Sequence, residues 1–362
     1  MIHIESIEDV QRAMRACAHV LPRGGGSKPA LSVPPPDVEE LDLSNLKGVV
    51  EYNPGEYTFT ARAGTRIDEV QALLAGHGQY LPFDPPLAEH GATLGGTLAA
   101  GLSGPGRYRY GGVRDFILGV RLVDGTGQLV RGGGKVVKNA AGFDIPKLMV
   151  GSLGRFGVLV ELTFKVFPQA DAFTTVRQPC AKLESAVAAL ERVYLARLDV
   201  DSLDLMPGEG GSATVWVRLA GMPGVLHARA ERVRALLGGG DVLDGTDDFL
   251  AWREAREFTW VPPGWTLVKV PLTPGRIAGL EAILDPLQAQ RRYSGGGNVA
   301  WVALPDTVPA QRLDGILLPA GLAGLILFGP AGKVRIGARE NEVFERRVKA
   351  VFDPAGRLPD LA

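Results

Sequence analysis

Two glycine-rich stretches carry the residue types that bind an anion: Pro22-Arg23-Gly24-Gly25-Gly26-Ser27-Lys28, and His90-Gly91-Ala92-Thr93-Leu94-Gly95-Gly96-Thr97-Leu98-Ala99-Ala100-Gly101. Three successive glycines let backbone approach a ligand with no Cβ in the way, so several N–H groups can converge on one anion. Ser27 adds a neutral donor, and Arg23 and Lys28 add positive charge. A diphosphate is the ligand such a set fits. The first stretch lacks the Lys-Ser/Thr spacing of a Walker loop, and no G-x-G-x-x-G with a downstream ribose-binding acid opens the chain. Taken alone, Gly24 to Gly26 reads equally well as a turn between two elements.

With 362 residues the chain has room for two domains. Its net charge of -1 argues against binding to nucleic acid through a basic surface. Two cysteines, Cys17 and Cys180, can build neither a disulfide framework nor a Cys-ligated iron–sulfur cluster, and no metal site is expected. The first turns carry Glu5, Glu8 and Asp9 and no apolar signal region, so a cytoplasmic protein is expected. From Gly315 to Gly332 there is no charge, but Pro319 and four glycines break the run; it reads as a buried strand with flanking turns, not as a membrane span.

The elements that must position the two stretches follow from periodicity. Ser6 to Ala18 reads as a helix capped by Ser6, leading straight into the first stretch. Thr58 to Ala63 alternates like a strand, and Ile67 to Ala75 is helical before Gly76 and Gly78 stop it. Ile117–Val123 and Gln128–Arg131 flank the turn Asp124-Gly125-Thr126-Gly127 as a hairpin. A helix from Ile145 to Val150 and a long strand from Val158 to Phe167 close an α+β domain near residue 168. Beyond it, the order helix (183–198), strand (202–205), strand (213–219), helix (225–237), strand (266–271) points to a ferredoxin-like βαββαβ unit. Glu342 to Phe352 is a terminal helix.

Tyr110 to Val120, Gly133-Gly134-Lys135-Val136-Val137-Lys138-Asn139-Ala140-Ala141-Gly142-Phe143-Asp144 and Leu148 to Val158, taken with both glycine stretches, resemble the PCMH-type FAD-binding domain of the vanillyl-alcohol oxidase class. With Ala99 to Pro105 they are also similar to the FAD-binding subunits of glycolate oxidases. The resemblance is strong over residues 20–168 and returns at Phe352-Asp353-Pro354-Ala355-Gly356. It implies an α+β fold: a two-lobed FAD domain (1–168), a smaller ferredoxin-like cap (169–330), and a C-terminal segment (331–362) returning to the FAD domain. It implies that Arg23, Gly24, Gly25, Gly26, Ser27 and Lys28 cradle the FAD pyrophosphate from one side. Thr93, Leu94, Gly95, Gly96 and Ala99 would hold it from the other, with Ser103 and Gly104 continuing toward the flavin. Gly154, Gly157 and Val158 would serve the adenine end, and Lys138 and Asn139 fall in the matched run. Covalent relatives place a histidine in the first loop; this chain has none there, so the FAD is expected to be noncovalent.

Oxidising a 2-hydroxy acid also needs a carboxylate clamp, a base and an electron outlet. Arg107, Arg109 and Arg114 are clamp candidates, or else pair with surface acids. The histidines are His3, His19, His77, His90 and His227, and Arg292-Tyr293-Ser294-Gly295-Gly296-Gly297-Asn298 contains none, so no catalytic base stands out; Lys138, Asp144 or a tyrosine would serve only a different chemistry. The resemblance implies that a second flavin subunit and an iron–sulfur subunit supply what is missing, in oxidation of glycolate to glyoxylate. Two other readings stay open: a free-standing FAD-dependent oxidoreductase, and a scaffold subunit that binds FAD for stability.

Overall fold

The computed structural model describes residues 1–134, 143–330, 332–339 and 341–360. The chain forms two compact units. One comprises Met1–Ser103, Gly112–Gln169 and Glu340–Ala362; the other comprises Gly104–Gly111 and Ala170–Arg339.

The first unit has two lobes. In one, β1 (Ile2–His3), β2 (Val20–Arg23) and β3 (Glu39–Asp42) form a parallel sheet of order β1-β3-β2. The helix α1 (Ile7–Ala16) joins β1 to β2. Its start is fixed by a reciprocal cap: Asp9 N–H donates to Ser6 Oγ, and the Asp9 carboxylate accepts from Ser6 N–H.

In the other lobe, β4 (Val49–Asn53), β5 (Thr58–Arg62), β7 (Ile117–Val123), β8 (Leu129–Gly133) and β9 (Val158–Lys165) form an antiparallel sheet of order β4-β5-β9-β7-β8. β7 and β8 are the hairpin expected from the sequence. β6 (Gln79–Tyr80) and β10 (Phe167–Pro168) make a small pair. Besides α1, the helices of this unit are α2 (Ile67–Ala75), α3 (Leu94–Ala100), α5 (Val113–Phe116), α6 (Ile145–Met149) and α12 (Glu342–Phe352). A single core joins the lobes: Ile4, Val10 and Met14 from the first, Val123, Val158 and Val160 from the second, and Leu358 from the chain's end, all under 4% exposed.

The second unit holds α4 (Arg107–Tyr110) and a nine-stranded antiparallel sheet. Its strands are β11 (Ala172–Cys180), β12 (Ser202–Pro207), β13 (Ala213–Gly221), β14 (Asp241–Asp244), β15 (Thr266–Pro271), β16 (Gln290–Ser294), β17 (Val299–Leu304), β18 (Ala323–Phe328) and β19 (Arg335–Gly337). The helices are α7 (Leu183–Leu195), α8 (Pro223–Leu237), α9 (Gly245–Glu257), α10 (Ile277–Leu284) and α11 (Ala310–Leu317). The order β14-β11-β13-β12-β16-β17-β15-β18-β19 contains two quartets, each built as strand–helix–strand–strand–helix–strand with spatial order 4-1-3-2.

The second unit is thus two ferredoxin-like halves joined edge to edge at β12 and β16. The single unit expected from periodicity is corrected to a pair. The strand at Thr266–Pro271 opens the second half; it does not close the first, whose outer strand is β14. The uncharged run after Gly315 contains the buried strand β18, as expected, preceded by the end of α11.

Candidate cofactor site

β2 ends at Arg23, whose carbonyl accepts from Leu43 N–H, and the chain leaves the small sheet as the first glycine stretch. Its path runs against the second stretch. A Cβ on Gly25 would lie 1.8 Å from the Gly91 carbonyl oxygen, and one on Gly24 would lie 2.3 Å from Thr93 Oγ1. No residue but glycine fits there without parting the loops. Gly26 takes a φ of +68°, which again favours glycine.

The backbone N–H groups of Gly24, Gly25, Gly26, Ser27 and Lys28 find no acceptor among the described residues. Five consecutive donors without a protein acceptor, on a loop whose glycines and Ser27 are part-exposed or exposed, are free to converge on an anion. Lys28 lies inside the same loop, 6% exposed. Its ammonium donates to Ser27 Oγ at 2.8 Å, no carboxylate pairs with it among the described residues, and burial pushes its pKa down to about 8. Arg23 is engaged differently, its guanidinium being held by Glu40 at 2.7 Å, on the neighbouring strand β3. That pairing uses Nη1 alone; the buried Nε has no partner among the described residues, and Nη2 lies 2.8 Å from a Cβ built on Gly26.

The second stretch offers a wall more than a set of donors. Leu94 N–H donates to Thr65 O, Gly95 N–H to Ala63 O, Thr97 N–H to Thr93 O and Gly96 N–H to Thr93 Oγ1. These amides secure α3 to the strand–helix connection after β5. Gly96 and Ala99 form the half-buried side of α3, with Gly96 nearest Lys28.

A third stretch joins them. Gly151 N–H and Leu153 N–H donate to Leu98 O and Ala99 O at the end of α3, and a Cβ on Gly154 would meet the Pro22 ring at 2.8 Å. Gly157 packs on Leu122, and the Val158 side chain is in the core, which leaves only its backbone to face a ligand. Two buried hydroxyls here, Thr97 Oγ1 and Ser152 Oγ, have no hydrogen-bond partner among the described residues. Both stand in the motifs quoted from the sequence, but nothing in the sequence marks them as unsatisfied.

Ser103 Oγ accepts from Val113 N–H at 2.8 Å and so holds the start of α5; Gly104 belongs to the second unit, where its carbonyl accepts from Arg107 N–H. Lys138 and Asn139 lie outside the described residues. Of the clamp candidates, Arg109 is paired with Asp199 at 2.8 Å, Arg114 is exposed in the first unit, and Arg107 lies against Gly295. Asp144 caps α6 by accepting from Lys147 N–H. All five histidines are exposed. Arg292 and Ser294 donate to Asp204, and Tyr293 to Glu281, within the second unit's core.

Amides without a protein acceptor and a buried ammonium without a carboxylate share one loop of a two-lobed α+β unit, and the two stretches packed against that loop each carry a buried hydroxyl without a partner among the described residues. They fit the diphosphate of a dinucleotide and define a PCMH-type FAD-binding oxidoreductase. Residues 1–133 match the family described as FAD binding domain. The fold is shared with alkyldihydroxyacetonephosphate synthase at a TM-score of 0.73 and 15% identity, covering 98% of this chain and 74% of that one. The chain belongs to the family of glycolate oxidase subunit GlcE: it is 37% identical to the Escherichia coli K12 protein over 355 residues, covering 97% of this chain and 94% of that one. Bacillus subtilis glycolate oxidase subunit GlcD is 24% identical over 204 residues, 55% of this chain and 43% of its own length. Anaerostipes hadrus D-lactate dehydrogenase is 27% identical over 169 residues, 47% of this chain and 35% of its own.

Proposed function

We propose that this chain is the FAD-binding subunit of a glycolate oxidase, and that it holds FAD noncovalently in the first unit while a second flavin subunit and an iron–sulfur subunit complete turnover. The observation that carries the reading is the run of five amides without a protein acceptor, closed by the buried Lys28. Bound FAD supplies a two-electron acceptor for the conversion of glycolate to glyoxylate, which releases two electrons and two protons. The residues of this chain would bind and orient it: Gly24 to Lys28 would donate to the diphosphate and Gly96 and Ala99 would flank it, while Gly154 sets the distance of the 151–157 turn from β2. Gly24-Gly25-Gly26-Ser27 has no side chain able to attack the flavin methyl carbon, which supports a dissociable cofactor.

Dependence on partners is supported by chemistry the chain does not offer. No histidine is buried, and two cysteines cannot ligate a cluster. Among the described residues, no helix is long and apolar enough to cross a membrane. We place the chain in the cytoplasm, and at a membrane only through its partners.

The test is spectroscopic. The purified chain should bind FAD near one equivalent, release it intact on denaturation, and keep its oxidised flavin spectrum when mixed anaerobically with glycolate. Prompt bleaching of the isolated chain would show a self-sufficient dehydrogenase instead. Within the reconstituted complex, unchanged glycolate-dependent electron transfer after stripping FAD from this subunit alone would reduce it to a scaffold.

A further inference from the structure

Lys28 stands in an environment that a permanently charged lysine does not favour. It is 6% exposed, and the single hydrogen-bond partner of its ammonium among the described residues is the neutral Ser27 Oγ. The charged groups nearby are occupied: Arg23 is paired with Glu40, and Arg66, whose guanidinium lies 3.8 Å from a Cβ built on Gly91, is paired with Asp68. The helix α3 and the turn Pro29–Leu31, on either side of the loop, contain no titratable residue. A lone buried ammonium costs free energy that a nearby anion offsets.

We propose that Lys28 couples cofactor capture to proton uptake: in mildly alkaline solution much of the cofactor-free protein holds it as a neutral amine, and arrival of the FAD diphosphate restores the ammonium. This rests on the FAD reading above. The proton comes from solvent and forms an N–H bond at Nζ; no other bond changes. The five amides donate at any such pH, so the loop separates a constant part of recognition from a titrating part. Burial alone lowers Lys28, to about 8. Below that pH the free protein already carries the charge, and affinity is flat. Above it, each pH unit weakens binding by up to about tenfold until the higher pKa of the complex is reached.

FAD affinity of the cofactor-stripped full chain, read by quenching of flavin fluorescence, should fall about tenfold between about pH 7 and about pH 9. Calorimetry in two buffers of different ionisation heat should show uptake of most of one proton per FAD at the upper pH and little at the lower. Lys28→Arg should bind FAD with a flat profile and no uptake, since guanidinium stays charged. Lys28→Met should bind more weakly at every pH, also without uptake. A flat wild-type profile, or a sloped profile that survives in Lys28→Arg, overturns the inference while leaving FAD binding intact. Failure to bind FAD at any pH overturns the cofactor reading and this inference with it.

Discussion

At the residue scale, Gly25 shows how a ligand-binding loop is decided by contacts with protein. The triple glycine is legible in sequence as a close-approach site, but what approaches is not: the nearest obstacle to a Cβ is the Gly91 carbonyl, inside the protein. Gly25→Val should therefore part the two loops and remove FAD without any direct clash with the cofactor. Flavin-to-protein stoichiometry should drop at least about tenfold, while circular dichroism stays close to wild type because the obstructing contact lies between two loops. Normal FAD content in the folded variant would refute the placement of the loop. Lys28 supports a second prediction on stability. Its folded pKa is depressed relative to the unfolded chain, so between about 8 and 10.5 the unfolded state binds more protons. The melting temperature of cofactor-free protein should gain a favourable contribution as pH rises through that window, and Lys28→Met should lack it; a wild-type profile identical to that of Lys28→Met would contradict the burial of this side chain. Arg23 and Lys28 look equivalent in the sequence. Glu40, seventeen residues away on another strand, is what separates them, and no local pattern announces it.

At the element scale, helices and hairpins that depend on neighbours in sequence were readable, and long-range pairing was not. The Ser6 cap, the β7–β8 turn and α12 are local signals, and each stands where its residues place it. β11, Ala-Phe-Thr-Thr-Val-Arg-Gln-Pro-Cys, mixes polar residues on both faces: its Thr175 donates to Asp248 of α9, which also pairs with Arg218 across the sheet on β13, rather than meeting water. β14 is four residues long behind three glycines. Missing these two strands hid the first half's opening strand and its outer edge, and with them the duplication. The seam between the halves is thin: β12 and β16 share one registered pair, Leu205 with Tyr293. Beside it, Asp204 accepts from Arg292 at 2.7 Å, Ser294 at 2.8 Å and Gly295 N–H at 3.3 Å, with Asp204 and Arg292 both almost fully buried. Asp204→Ala would leave a buried guanidinium without its carboxylate, which typically costs about 3–5 kcal/mol. A melting temperature lowered by about 10 °C is expected. The double variant Asp204→Leu, Arg292→Met should recover part of that loss, whereas equal melting of the single and double variants would show that the pair is not coupled.

At the scale of the whole molecule, the end of the chain secures its beginning. After α12, Asp353 accepts from Arg357 N–H and Leu358 N–H at 2.9 Å each and pairs with Lys349, forming a tight turn. That turn delivers Arg357 to two places in the first lobe: its carbonyl accepts from Val20 N–H at the start of β2, and its guanidinium donates to Met14 O at the end of α1. Leu358 enters the shared core. β2 is the strand that runs directly into Gly24, so the geometry of the phosphate loop is tied to residues more than three hundred positions away. The motif around Asp353 can be recognised in sequence; its target cannot, since neither charge nor periodicity names a partner at that distance. Removing residues 341–362 should therefore release FAD and lower the melting temperature of the first unit. The second unit, which takes no residue from this segment, should keep its sheet. Asp353→Ala should act in the same direction more weakly, because the segment stays attached while its turn loses three hydrogen-bond donors' common acceptor. Differential scanning calorimetry with and without FAD reads both effects. A truncated chain that retains FAD at wild-type affinity would show that β2 and its loop hold their shape without the C-terminal turn.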